Sequence, residues 1–436
     1  MLASLRSNWL SIRASYWFYP ALFALAALAL ATALIHIDRL GASDWLSRSH
    51  WIVPAQPEGA SNILTVLSSA MIGVAATVFS ITIAAVAYAS GNYGPRLLTN
   101  FMEDRGNQLS LAMFIGTFVY SITVLRAVRT GDETPGAAAA VHGVFVPQLS
   151  LLVAYALMIA SVGVLVYFLH HIPASIRINT VLENIGTRLL HEITHRFPEM
   201  GETDPPVRTV ARGGWISSHH TGYVRLIELG ALAEAARKHK VTVGLAVRPG
   251  DFVYPGAPLA RADTDPVPDD VAHAVRETFA IGATRTPKMD LEFSIDELVE
   301  IALRALSPGI NDPFTAITAT HWLGAATAEL GRRDLGAESW NSDGADCPVA
   351  PLQSDFAHFL ERGFAAARGA LASNRLSALV ALETLAKAAG QVRGSHRRAL
   401  IEREVRLLAQ QAEEHLTGPD IADVRQRHDA IRAGWS

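Results

Sequence analysis

Four long stretches almost free of charge, at 17–37, 63–90, 109–125 and 144–169, constrain this chain more than any other feature. Each is about as long as a helix needs to cross a hydrocarbon core ~30 Å thick. Strands would alternate apolar and polar residues, and these runs do not. In lipid, only helices and closed barrels satisfy their own backbone. The pattern therefore predicts four transmembrane helices, all before residue 171. The texture then changes. The expected fold class is a membrane protein with four transmembrane α-helices followed by a cytosolic α+β region, a small β module and then a mostly helical C-terminal domain.

The average of 50% hydrophobic and 18% charged residues hides these two unlike parts. A net charge of -4 gives no reason to expect nucleic acid as a partner. The single cysteine, Cys347, excludes an intramolecular disulfide. The first run opens on Tyr16-Trp17-Phe18-Tyr19, as at a headgroup interface, and meets His36, Asp38 and Arg39 without a preceding Ala-x-Ala. It reads as a signal anchor, not as a cleaved signal peptide. Arg6, Arg13, Arg96, Arg105, Arg177 and Arg188 fall on one side of an even number of spans, against Arg39, Arg48, Arg126 and Arg129 on the other. That bias places both termini in the cytoplasm and the chain in a bacterial inner (plasma) membrane.

Four parts follow: a four-helix transmembrane domain at 1–170, a linking amphipathic helix at 171–206, a small barrel-sandwich-like β module at 207–264 and a helical cytosolic domain at 265–436. In the inner loop, Pro95 is positioned to open a short helix carrying Leu97, Leu98, Phe101 and Met102. Val181, Leu182, Ile185, Leu189 and Ile193 recur at helical spacing over 172–197, and Pro198 stops that helix. Residues 222–227 and 241–247 read as strands around a helix at 229–239, with tight turns at 248–253 and 255–260. The turns resemble those of lipoyl and biotinyl carrier modules. Those carriers need an acceptor lysine at a hairpin tip, whereas Lys238 and Lys240 flank a helix end, so the module reads as structural. From Pro266 onward the spacing reads as helix, interrupted by a polar loop at 332–351.

Three constellations bear on chemistry. His191-Glu192-Ile193-Thr194-His195 matches H-E-x-x-H, which on a helix sets two zinc ligands on one face with the glutamate to activate a water. No third ligand follows before Pro198, and Arg196 stands just after the second histidine. A solvated helix face is the plainer reading, with no cofactor and no metal expected, and a zinc protease is the minor alternative. Ser69, Gly73, Ala76, Ser80, Ala84, Ala87 and Gly91 step by three or four along the second run and form one stripe of small residues. Such a stripe serves close helix packing, or lines a pore once several copies assemble. Arg96, Asn100, Asp104 and Arg105 would stand at the mouth of that path. In the third, Leu306 to Pro313, Gly309 suits the end of one helix, and Asp312 with Pro313 opens the next. Ser307 and Asn311 beside that helix start could bind an anion or dock on the membrane domain.

No acidic or basic residue lies well inside a span, which argues against an ion-coupled carrier. The expected function is an oligomeric, channel-like protein gated by its tail, with the bilayer, its own copies and an inorganic ion as partners. The alternative is a non-conducting scaffold or sensor that recruits a cytosolic partner. No catalytic residue is assigned.

Several segments together resemble the bacterial membrane proteins of the domain-of-unknown-function 2254 family. They are Pro95-Arg96-Leu97-Leu98, Asn100-Phe101, Asp104 to Gln108, Phe114 to Tyr120, Gly222-Tyr223-Val224, Arg248 to Val253, Arg285-Thr286 and Leu306 to Pro313. The resemblance covers nearly the whole chain and implies a membrane protein. It implies no activity, and the 191–195 motif is not among the segments that carry it.

Overall fold

A computed structural model describes residues 12, 15–40, 56–94, 96, 104–128, 145–200, 212–285, 290–336, 347–350, 352 and 355–435. Among them, four helices are long and apolar enough to cross a membrane. These are α1 (Phe18–Arg39), α2 (Pro57–Tyr93), α3 (Arg105–Leu125) and α4 (Gln148–Ser175). The chain divides into two compact units, Ser11–Gly91 with Arg96–Arg177, and Asn92–Pro95 with Ile178–Ser436.

In the first unit α1 packs along α3, and α4 packs on both. The contact is made by small residues. Ala27 and Ala31 are buried on α1, and Ala112 and Gly116 on α3, each pair four apart. A side chain at Gly116 would begin 3.4 Å from Phe23 Cβ, so the two helices lie close enough for a Cβ there to touch α1. The second run is apolar over 63–90, yet α2 continues at both ends to 37 residues. At 1.5 Å per residue that is roughly 55 Å, well beyond the hydrocarbon core. Its Pro57 sits at the first helical position, where a missing N–H costs nothing. The expected inner-loop helix at 95–102 lies largely outside the described residues, as does most of the loop at 127–145.

In the second unit the expected single helix over 172–197 is two. Residues 172–175 complete α4, and a new helix, α5 (Ile178–Arg196), begins after a break at Ile176 and Arg177. It buries Val181, Leu182, Ile185, Leu189 and Ile193, the stripe that the spacing marked.

The strands follow: β1 (Trp215–Ser217), β2 (Gly222–Ile227), β3 (Val243–Leu245), β4 (Phe252–Val253) and β5 (Pro258–Ala262). A helix, α6 (Leu229–His239), joins β2 to β3, and α7 (Asp269–Arg276) follows β5. The region after Pro266 is not wholly helical. A strand at Phe279–Gly282, β6, runs antiparallel to β2 with Ile227 opposite Phe279, and one at Val349–Ala350, β7, runs parallel to β3. Two sheets result, in the orders β1-β5-β3-β7 and β4-β2-β6. They close on a core that includes Val224, Ile227, Leu232, Val243, Leu259, Val271 and Phe279. Strands of two to four residues fall below any readable period.

The remaining helices are α8 (Leu291–Ala305), α9 (Pro313–Arg332), α10 (Phe356–Leu360), a π-helical turn at Glu361–Ala365, α11 (Ala366–Ala372), α12 (Arg375–Ala389), α13 (Ser395–His415) and α14 (Gly418–Ala433). Among them α8 packs against α5, α9 and the π-helical turn. Its Leu298, Ile301 and Ala302 are almost inaccessible.

Candidate functional site

The small-residue stripe does not pack inside the chain. The inward face of α2 is Ala60, Leu64, Leu67, Met71, Ala75, Val78, Thr82, Val86 and Ala89. Ser69, Gly73, Ala76, Ser80, Ala84, Ala87 and Gly91 are all exposed on the single chain. A Cβ at Gly73 or Gly91 would meet nothing within 4 Å. On this face Ser80 Oγ donates to Ala76 O at 2.9 Å and Thr77 Oγ1 to Gly73 O at 3.0 Å. With their hydrogens spent on the helix, these hydroxyls turn lone pairs outward, which suits water or a cation.

A polar seam runs instead between α3 and α4. Asp38 is 7% exposed and accepts from Leu149 N at 3.1 Å, Ser150 N at 3.0 Å and Ser150 Oγ at 2.7 Å. It caps α4 from the end of α1 and places a carboxylate at a positive helix terminus. Tyr120 donates to Ser150 O at 2.9 Å, and Thr117 and Ser161 share a hydroxyl contact of 3.0 Å. At the other end of α3, Asp104 accepts from Asn107 N at 2.9 Å, and His171 Nε2 lies 3.0 and 3.1 Å from its two oxygens. Asp104 of the expected mouth is therefore a helix cap and a histidine partner. Arg96 and Arg105 are exposed, and Asn100 lies outside the described residues.

The second unit holds a buried charge network that no spacing revealed. Four acids, Asp290, Glu292, Asp296 and Glu297, stand at the start of α8, with Asp290 capping it through Phe293 N at 3.1 Å. Cations reach them from four separate segments. Arg362 grips Asp296 with two bonds of 2.7 Å and Glu292 with a third of 2.7 Å. Arg285 Nε donates to Asp290 at 2.7 Å and its Nη1 to Asp296 at 2.5 Å. His358 Nε2 donates to Glu292 at 2.8 Å, Arg248 Nη1 stands 3.5 Å from the same carboxylate, and Arg188 of α5 pairs with Glu297. Gly250, at φ +101, brings the Arg248 turn against Asp290, and any side chain there would collide with that carboxylate.

The 191–195 motif lies on the same helix as Arg188. The rings of His191 and His195 stand on the exposed side of α5, 6.0 Å apart between centroids. Glu192 is partly buried instead, and burial pushes its carboxyl up to about 7, against the pull of Arg188 and Arg196 and with a further push from Asp290. Burial likewise pushes Asp290 up to about 6, against Arg285. Burial acts on Asp296 too, yet Arg362 and Arg285 hold its carboxyl below the usual range. Among the described residues no group of three or more His, Cys, Asp or Glu is arranged to hold a metal ion. The cluster thus joins α5, the β module and α10 through α8, and burial raises the carboxyls of Asp290 within it and of Glu192 on α5.

The loop after α8 also differs in detail from expectation. The left-handed residue is Asn311, at φ 50, and not Gly309, which adopts no positive φ. Asparagine tolerates that region because its side chain bonds locally. Asp312 caps α9 by accepting from Phe314 N at 3.2 Å and Thr315 N at 3.1 Å, so a carboxylate of the chain itself occupies this helix start. Ser307 Oγ donates to Arg304 O at 2.6 Å. Sequence reasoning missed the apolar side chains that this loop leaves in the open, Ile310 at 42% and Phe314 at 70% exposure.

Comparison with known proteins agrees with the family resemblance. The family described as "Predicted membrane protein (DUF2254)" matches residues 13–387. The uncharacterized protein Rv1290c of Mycobacterium tuberculosis is 31% identical over 367 residues, which cover 82% of this chain and 69% of the relative. The uncharacterized protein Mb1321c of Mycobacterium bovis matches with the same identity and coverage. No solved structure matches the chain.

Proposed function

Because the chain belongs to the domain-of-unknown-function 2254 family of predicted membrane proteins, we propose an activity from its own surface: an oligomeric, channel-like protein whose second span, with its symmetry mates, lines a passive path. One observation carries this reading. All seven small residues of α2 face away from the chain, and Ser80 with the neighbouring Thr77 turns hydroxyl lone pairs outward. Small residues allow such helices to approach one another in lipid, and outward oxygens replace part of a cation's water shell. The arginine bias supports cytoplasmic termini in a bacterial inner membrane, and a tail on that side would be the part that gates the path.

Flux of a small cation through proteoliposomes of the purified full chain tests the proposal. Flux above empty vesicles is expected, with a drop of about tenfold or more in Ser80→Leu, because the larger side chain fills the lining. No flux, or flux untouched by that change, contradicts it. The exposed Phe314 and Ile310 favour the second reading, a non-conducting scaffold, and intact assemblies without flux would leave that one standing.

A further inference from the structure

The last two helices of the chain meet in a groove of about 480 Å³, within the size range of small-molecule sites. On α13, Arg403, Arg406 and Gln410 stand three and four residues apart and share the wall on one side. Among the described residues neither Arg403 nor Arg406 has a carboxylate or a hydrogen-bonding partner. Neighbouring arginines are occupied. Arg425 donates to Glu413 at 2.8 Å, Arg398 to Glu402 at 3.1 Å, and Arg427 to Glu383 of α12. Leu407 and Val424 supply an apolar wall.

His428 of α14 completes the groove. Its side chain is 17% exposed, its Nδ1 stands 3.8 Å from Asp429 Oδ1, and its Nε2 is buried without a hydrogen-bonding partner. A nitrogen shut off from water makes no direct contact with a guest in the groove, so the ring acts on one through its charge. Burial holds the ring below its ordinary pKa. Arg406 and Arg432 push the same way, and Asp429 and Glu413 oppose them. The groove thus offers two guanidinium groups without an ion-pair partner, a titratable ring behind them and an apolar wall, beside the Glu413–Arg425 pair that also lines it.

We propose that the groove between α13 and α14 binds a phosphate-bearing ligand, held by Arg403 and Arg406, with its organic part against Leu407 and Val424. Guanidinium forks match phosphate oxygens in geometry and charge. An anion in the groove also favours the imidazolium, so binding takes up a proton and strengthens as pH falls.

Calorimetry on the purified full chain in detergent, with phenyl phosphate as the probe, tests this. Binding is expected, with a loss of about tenfold or more in the Arg403→Ala/Arg406→Ala double variant. Both residues are exposed, and an unchanged melting temperature confirms that the variant is folded. Phenyl sulfate keeps a fixed charge, so its affinity isolates the protein's own proton. It is expected to bind more tightly at about pH 6 than at about pH 8, and His428→Asn is expected to erase the difference. Displacement by inorganic phosphate identifies a soluble source, displacement by phosphatidic acid a lipid headgroup, and either one supports the site. Absence of phenyl phosphate binding, or an affinity unchanged in the double variant, overturns it.

Discussion

Arg362→Ala is expected to destabilise the folded chain by about 3–5 kcal/mol, the usual result of removing one partner from a buried ion pair. The guanidinium makes three charge-assisted contacts, to Asp296 and Glu292. Both carboxylates are largely shut off from water, at 12% and 7% side-chain exposure. Without Arg362, Asp296 loses two charge-assisted bonds while its contact with Arg285 stays, and Glu292 keeps His358 and the more distant Arg248. Lysine is expected to restore little, because a single ammonium cannot serve two carboxylates in fork geometry. Arg398→Ala, at a more exposed helix pair with Glu402, is the control and should cost only about 0.5 kcal/mol. Thermal unfolding of the three variants in detergent reads the comparison. A loss from Arg362→Ala no larger than the control's would make the network a screened surface feature.

Glu192→Gln is expected to alter how stability depends on pH. The folded carboxyl titrates at about 7, against an ordinary value of 4.5. A raised carboxyl pKa stabilises the fold fully below the unfolded value, and that contribution disappears as pH rises through the folded value. Asp290, pushed up to about 6, acts in the same direction. The wild-type chain should therefore lose stability between about pH 5 and pH 8, by up to roughly 3 kcal/mol from Glu192. The neutral glutamine avoids burying a charge, so the variant should be the more stable of the two near pH 8 and have the flatter profile. Parallel profiles would mean that Glu192 titrates as an ordinary exposed carboxyl.

How much of this was legible depended on range. The four spans were, because a run of some twenty apolar residues has few alternatives in water or lipid. The strand at 222–227 and the helix at 229–239 were also legible, since period and turn residues agree there. The Asp312-Pro313 helix start was legible because a cap acts over three residues. The network on α8 was not. Its members at 188, 248, 285, 292, 296, 358 and 362 lie scattered, and only tertiary packing joins them. The 2-residue strand at Val349–Ala350 fails for the same reason, since its partner lies about a hundred residues earlier, at Val243. Spacing did find the stripe on α2. Which side of the helix faced inward depended on Leu64, Leu67, Met71 and Val78 outcompeting it for the core, and spacing does not decide that contest.

The central claim is that this stripe faces other copies of the chain, and disulfide trapping in membranes tests it directly. In a Cys347→Ser background, Ser80→Cys and Ala84→Cys should yield crosslinked dimers on mild oxidation, since a disulfide needs Cα atoms within about 7 Å. Val78→Cys, on the buried face at 1% exposure, should yield none. Monomers at both stripe positions, or equal trapping at Phe79→Cys and Ile83→Cys, which are exposed outside the stripe, would contradict the claim.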